Sequence, residues 1–236
     1  MTSERATARA AWLFLAPALV VIGVFFFLPV VASLALSFTD FDLYSVADPR
    51  TTQFVGVRNY AVLSHAPVFW SALKNTCYFV AVGAPLSVLV ALGAALGVNA
   101  KAVRYKQFFR AAYFAPFVTT LVALAIVWRY LYQPRYGLLN AALGHLGVGP
   151  IDWLGDPHWA MPAIILLAVW KNFGYSMLIF IAGLQRIPSE LYEAAELDGA
   201  RWWARLWRVT LPLLTPTLVF VAIITVIGYF QLFAEP

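Results

Sequence analysis

Charged residues are missing from long stretches of this 236-residue chain, and the lengths of those stretches dictate its architecture. Between Arg9 and Asp40 lie 30 uncharged positions (10–39), and between Lys74 and Lys101 lie 26 (75–100). Arg110 to Arg129 leaves 18 (111–128), and Arg208 to Glu235 leaves 26 (209–234). A fifth stretch, from His158 to Gln185, is interrupted only by Lys171. A helix rises about 1.5 Å per residue, so about 20 residues cross a hydrocarbon core of about 30 Å. In lipid the backbone must satisfy its own hydrogen bonds, which makes long apolar runs helical. The period-two alternation of a membrane barrel strand is missing. The pattern predicts an all-α polytopic membrane protein with five transmembrane helices, near 11–38, 73–98, 109–131, 160–185 and 212–233. The first stretch far exceeds the roughly 7–15 apolar residues of a signal-peptide core and contains Pro17 and Pro29, so it reads as a retained anchor.

Composition agrees: 62% of residues are hydrophobic and 11% charged, with a mean hydropathy of +0.78. Soluble domains hold about 45–50% apolar and about 25% charged residues, and disordered chains are apolar-poor, so both classes are excluded. A single cysteine, Cys77, rules out an intrachain disulfide framework and reads as a packed apolar residue. The net charge of +5 is explained by topology. Lys and Arg crowd the N-terminus, 99–108 and 186–211, and are sparser in 39–72 and 132–159. Positively charged loops stay inside, which predicts a cytoplasmic N-terminus in the inner (cytoplasmic) membrane. No basic stripe interleaved with aromatics on a soluble element supports a nucleic-acid partner. The chain divides into 1–72 (tail, first helix and external loop) and 73–236, a core of helices two to five with the loop 186–212.

That loop is longer than a connector needs. Ser189 after Pro188 reads as an N-cap, with Glu190 and Glu193 complementing the positive end of a short helix that Gly199 is suited to end. A second helix follows, with Arg201, Arg205 and Arg208 on one face beside Trp202, Trp203 and Trp207. Tryptophan and arginine together favour the headgroup region, so this half reads as an amphipathic segment lying there, followed by Pro212 where the chain turns into the last span. The acidic half, Glu190, Glu193, Glu196 and Asp198, is not attracted to an anionic leaflet and reads as a docking surface for a basic partner.

The spacing Glu193-Ala194-Ala195, three residues, Gly199, nine residues, Val209-Thr210-Leu211-Pro212 resembles the EAA loop of permease subunits of binding-protein-dependent ABC importers. The family has isoleucine where Val209 stands. Phe54–Tyr60, Lys74-Asn75-Thr76, Arg110–Pro116 and Ala182–Pro188 are similar to its carbohydrate and glycerol-phosphate branch, so the resemblance covers nearly the whole chain. It implies a coupling helix seated in a cleft of an ATPase subunit. Glu193 would pair with a basic residue there, Ala194 and Ala195 would allow close approach, and Gly199 would make the turn beside Asp198. It also implies as partners a second permease subunit, two ATPase subunits that carry ATP and magnesium, and an extracytoplasmic solute-binding protein. Members continue past the point that resembles Phe230–Pro236 with at least one more helix, so either the sequence is cut short there or the protein is expected to lack a closing helix. No P-loop, nucleophile triad or metal cluster is present, so no cofactor and no enzymatic activity is expected in this chain.

Lys171 lies about 11 residues, or about 16 Å, into the fourth span. A charge there costs a few kcal/mol and normally faces a cavity or a partner. Trp170, Lys171, Asn172 and Tyr175 offer stacking faces and hydrogen bonds for a sugar in a solute pathway; alternatively Lys171 only orients the helices. Asn75 and Gln231 are further pathway candidates, with polar contact between helices as their other role. Two other functional classes stand beside the importer: an ion-gradient-driven secondary transporter using Lys171, and a non-transporting membrane scaffold.

Overall fold

The structure, a computed structural model, describes residues 2–42, 52–100 and 102–231. Residues 232–236, on which the expectation about a closing helix falls, lie outside that set. Among the described residues the regular elements are helices, with one isolated antiparallel bridge, and the chain divides into two compact units, Met1–Ser71 and Ala72–Pro236.

In the first unit, α1 (Thr2–Ile22) continues through a five-residue π-turn, Gly23–Phe27, into α2 (Leu28–Leu36). The apolar span Ala10–Leu36 buries none of its window. The π-turn ends two residues before Pro29, whose ring cannot donate to the carbonyl a turn below. Widening the preceding turn lets the Leu28 N–H reach the Gly23 carbonyl instead. Beyond α2 the chain doubles back, with Thr39 bridged to Phe54, and enters α3 (Arg58–His65). The Asn59 amide donates to the Ser37 and Thr39 carbonyls at 2.9 and 2.8 Å, and the Ser37 and Tyr60 hydroxyls meet at 2.6 Å. The segment Phe54–Tyr60 thus satisfies carbonyls that the end of α2 leaves open, and Gly56, at φ +60°, makes the required turn.

The second unit is built on α4 (Pro67–Asn99), α5 (Lys106–Val118), α6 (Leu121–Leu131), α7 (Leu138–Gly144), α8 (Pro157–Leu184), α9 (Ser189–Leu197), α10 (Trp202–Arg205) and α11 (Leu211–Phe230). Its core lies where α4, α8 and α11 meet. Ala91 and Ala95 pack with Phe180 and Leu214 in one cluster, and Phe79 and Ala84 with Ile165 and Tyr229 in a second. Glycines set the helix crossings. A Cβ on Gly174 would stand 1.9 Å from the Tyr113 carbonyl oxygen, so α5 lies directly on α8. A Cβ on Gly183 would stand 2.7 Å from Thr217 Oγ1 and 2.8 Å from a Leu214 methyl carbon, so α11 also touches α8.

Each of the five apolar stretches is helical, with three differences from expectation. The stretch predicted as one helix over 109–131 is broken: α5 and α6 are bent by 99°. Pro116 withdraws a donor near the end of α5, the Thr119 hydroxyl takes the Ala115 carbonyl at 3.0 Å, and Thr119 and Thr120 adopt extended ψ values of 141° and 139°. The segment from Trp202 is not a separate surface helix ending at Pro212. It runs unbroken from Trp202 to Phe230, because a second π-turn, Leu206–Thr210, again ends two residues before a proline. Cys77 is exposed rather than packed.

Candidate functional site

Five helices of the second unit line a half-open cavity of about 390 Å³. Halfway along α8, fourteen residues from Pro157 and thirteen from Leu184, Lys171 lies on its wall. Asn172, Tyr175 and Ser176 join it from α8, and Thr225 and Tyr229 from α11, with Gln231 just beyond the end of that helix. Phe79 of α4, Phe117 of α5 and Phe220 of α11 add to the aromatic part of the lining. Phe79 stacks on Tyr229 with centroids 5.0 Å apart and planes at 24°, which ties α4 to α11. The Asn172 amide donates to the Ala168 carbonyl at 2.9 Å, which leaves its oxygen as acceptor capacity. Flat aromatic faces, amides, hydroxyls and one cation share this half-open space inside the bundle, a combination suited to a polyhydroxylated ring.

Trp170 and Asn75 are not in this lining. One residue along a helix is a rotation of about 100°, which turns Trp170 away from the face of Lys171. It meets Trp128 edge-on instead, at 5.4 Å. Asn75 lies one turn before Phe79 on α4 and is exposed.

A second feature lies at the other end of α8. α9 begins after Pro188, which occupies the cap position with extended backbone (φ −58°, ψ 136°). Ser189, expected as the cap, is the first helical residue, and no side chain caps this end. The helix closes on a Schellman motif: the Ala200 N–H donates to the Ala195 carbonyl at 2.9 Å and the Gly199 N–H to that of Glu196 at 3.0 Å. Gly199 stands at φ +75°, a conformation that disfavours any residue with a Cβ. Glu193, Ala194 and Asp198 are exposed, and Ala195 is half-buried. Ala195, Asp198, Arg201, Arg205 and Arg208 line a cleft between α9 and the start of the last long helix. Across this turn Arg205 is ion-paired with Glu196. Tyr192 Oη lies 3.1 Å from the buried Thr210 Oγ1. Leu211 and Pro212 are inside the helix that follows, not in a loop.

Residues 83–236 match the family model for the inner membrane component of binding-protein-dependent transport systems. This chain belongs to that family.

The permease shares 39% identity over 226 residues with the lactose transport system permease protein LacF of Rhizobium radiobacter, covering 95% of this chain and 74% of that one. It is 35% identical over 226 residues to the trehalose/maltose transport system permease protein MalF of Thermococcus litoralis, covering 96% and 75% respectively. A crystal structure of a bacterial ABC transporter that imports the acidic polysaccharide alginate superposes with a TM-score of 0.78 at 22% identity, covering 98% of this chain and 76% of that one. That likeness establishes a shared fold. The permease is accordingly a multi-pass protein of the inner membrane, and its relatives are transport subunits.

Phe79, Phe117, Ser176, Thr225 and Tyr229 line the cavity and were not singled out from the sequence of the permease. A signal existed for two of them: Thr225 and Tyr229 stand four residues apart, as polar-tipped interruptions of an otherwise aliphatic run. Phe79 and Phe117 carry no such mark, since both lie among other aromatic and aliphatic residues.

Proposed function

We propose that this chain is the permease subunit of an ABC importer for a sugar or glycerol-phosphate-type solute. The observation that carries the reading is the cavity, which gathers Lys171, Asn172 and Tyr175 of α8 with Gln231 at the end of α11, the two long helices that lead to the α9 turn. Aromatic plates stack on the apolar faces of a sugar, while amides and hydroxyls replace the water on its edges. Relatives named for lactose, arabinooligosaccharides, trehalose/maltose and sulfoquinovosyl glycerol support a saccharide-type solute.

In this reading the N-terminus and α9 face the cytoplasm, and α9 seats in an ATPase subunit. Glu193 meets a basic residue there, and Ala194, small and exposed, lets the two surfaces approach. A second permease completes the pathway, an external binding protein delivers the solute, and two ATPase subunits hold ATP and magnesium. Closure of the ATPase pair on ATP moves the docked helices and turns the cavity from inward- to outward-facing.

The test is uptake by the assembled complex in vesicles. Glu193→Lys is expected to abolish ATP-driven uptake while the protein still inserts and accumulates normally. Unchanged uptake would remove the docking role. Uptake that survives ATP depletion and collapses with a protonophore would replace the importer with an ion-driven carrier.

A further inference from the structure

We propose that Glu196 and Arg205, together with Tyr192 and Thr210, form a brace that fixes α9 to the last long helix and is the route by which α9 moves the cavity. The inference rests on the assignment of α9 as the ATPase-docking helix and goes on to name the residues that pass its motion inward.

Three connections lead away from α9. One stretch of backbone runs to α8 through Gln185–Pro188, where Pro188 is extended and interrupts helical continuity; another runs to α10 through Asp198–Arg201, a turn in which Gly199 stands at φ +75°. The third is made of side chains. The carboxylate of Glu196 pairs with the Arg205 guanidinium at the end of α10, and the Tyr192 and Thr210 hydroxyls meet at 3.1 Å at the end of the following π-turn. The two contacts therefore grip the π-turn Leu206–Thr210 at both ends, and buried Leu206 seats the segment between them. An ion pair with an aromatic–hydroxyl contact one π-turn away resists both sliding and rotation, which a single contact does not.

The gripped segment is continuous with the cavity wall. Trp202–Phe230 is one helix, and Ile224, Thr225 and Tyr229 lie on its cavity side. Between brace and cavity, Leu214 and Thr217 cross α8 at Gly183, where the absence of a side chain lets the two helices come close. On α8 the order is the same, with Lys171, Asn172 and Tyr175 on the far side of Gly183 from α9. A crossing placed between a handle and a cavity acts as a pivot: displacement of the braced end tilts the wall beyond it.

The experiment uses the assembled complex with its ATPase subunits, in a Cys77→Ala background carrying Ile224→Cys as a cavity reporter. The readout is the labelling rate by a small water-soluble maleimide with and without ATP. Without further change, ATP is expected to alter the rate about fivefold or more, in the range of ordinary coupling energies. Glu196→Arg and Arg205→Glu should each abolish the ATP response while the ATPase subunits still co-purify and hydrolyse ATP. The double reversal Glu196→Arg/Arg205→Glu should restore it. Tyr192→Phe, which keeps the ring and removes only the hydroxyl, should diminish the response without loss of protein. Single reversals that keep the full response, or a double reversal that restores nothing, overturn the brace alone. If Glu196→Arg acts only by releasing the ATPase subunits, Glu196 is a docking residue and the brace is again overturned. If the reporter complex itself shows no ATP response, the docking assignment of α9 fails and takes the brace with it.

Discussion

The ring of Phe117 lies against that of Tyr175 with centroids 4.7 Å apart and planes only 12° from parallel. The pair joins the end of α5, just before the break at Thr119–Thr120, to the middle of α8, and both rings face the cavity. The bend in the third span and the aromatic wall of the cavity are therefore one piece of construction. Were α5 and α6 a straight helix, the chain after Phe117 would continue along α5 instead of turning Leu121 into the lining.

Tyr175→Ala removes one plate of this wall. Aromatic pairs contribute about 0.5–1.5 kcal/mol beyond simple burial, so uptake at low solute concentration is expected to fall up to about tenfold. Tyr175→Phe keeps the stack and isolates the hydroxyl. Initial uptake rates across a concentration series separate a raised KM from a lowered maximum.

Gly174→Ala forces α5 and α8 apart, because the added carbon would stand 2.6 Å from the Tyr113 carbonyl carbon as well as against its oxygen. A loss of about 1–3 kcal/mol is expected, the usual range for overpacking. A lowered thermal transition in detergent checks it. Gly93→Ala is the control: nothing lies within 4 Å of its added carbon, and alanine is the better helix former by about 1 kcal/mol.

Gly199 has open space around it, so substitution there acts through the backbone alone. Gly199→Val at φ +75° is expected to cost about 1–2 kcal/mol and to loosen the end of α9. Gly199→Asn should be milder, since asparagine tolerates this region. Amide hydrogen exchange at Gly199 and Ala200, whose N–H groups close the Schellman motif, reports the loosening directly.

Asp156 caps α8. Its carboxylate accepts the His158 backbone N–H at 2.8 Å, and this bond, reinforced by the His158 side chain, holds its pKa below the ordinary value of 3.8. A depressed carboxyl pKa in the folded state means that the stabilisation is present above the unfolded value and is lost as pH falls through the folded one. Exchange at the first turn of α8 is therefore expected to accelerate only below about pH 4. Asp156→Asn, which still accepts the bond, should flatten that dependence.

Much of the fold was legible because membrane crossing imposes a simple arithmetic on charge-free length, and all five stretches are helical. Gly199 was legible for a local reason, since a short helix followed by glycine has few other endings. The bend at Thr119–Thr120 was hidden, because Pro116 in an apolar run is equally compatible with a kinked but continuous helix. Pro212 misled in the opposite direction: proline after a polar segment reads as a boundary, and only the π-turn below it shows how the helix absorbs it. The cavity was half visible. Lys171, Asn172 and Tyr175 stand out in one helix, whereas Phe79 and Tyr229, far apart in the chain, become neighbours only once α4 and α11 pack.

The wide turn at Leu206–Thr210 also changes how the last helix should be read. Holding one residue more than a regular turn, it offsets everything after it by about 100°. A helical wheel drawn straight through it would predict the wrong stripe as pore-facing. Shortening the turn by one residue would restore regular winding and swing Thr225 and Tyr229 out of the lining, so insertion–deletion scanning here should disturb transport far more than its distance from the cavity suggests.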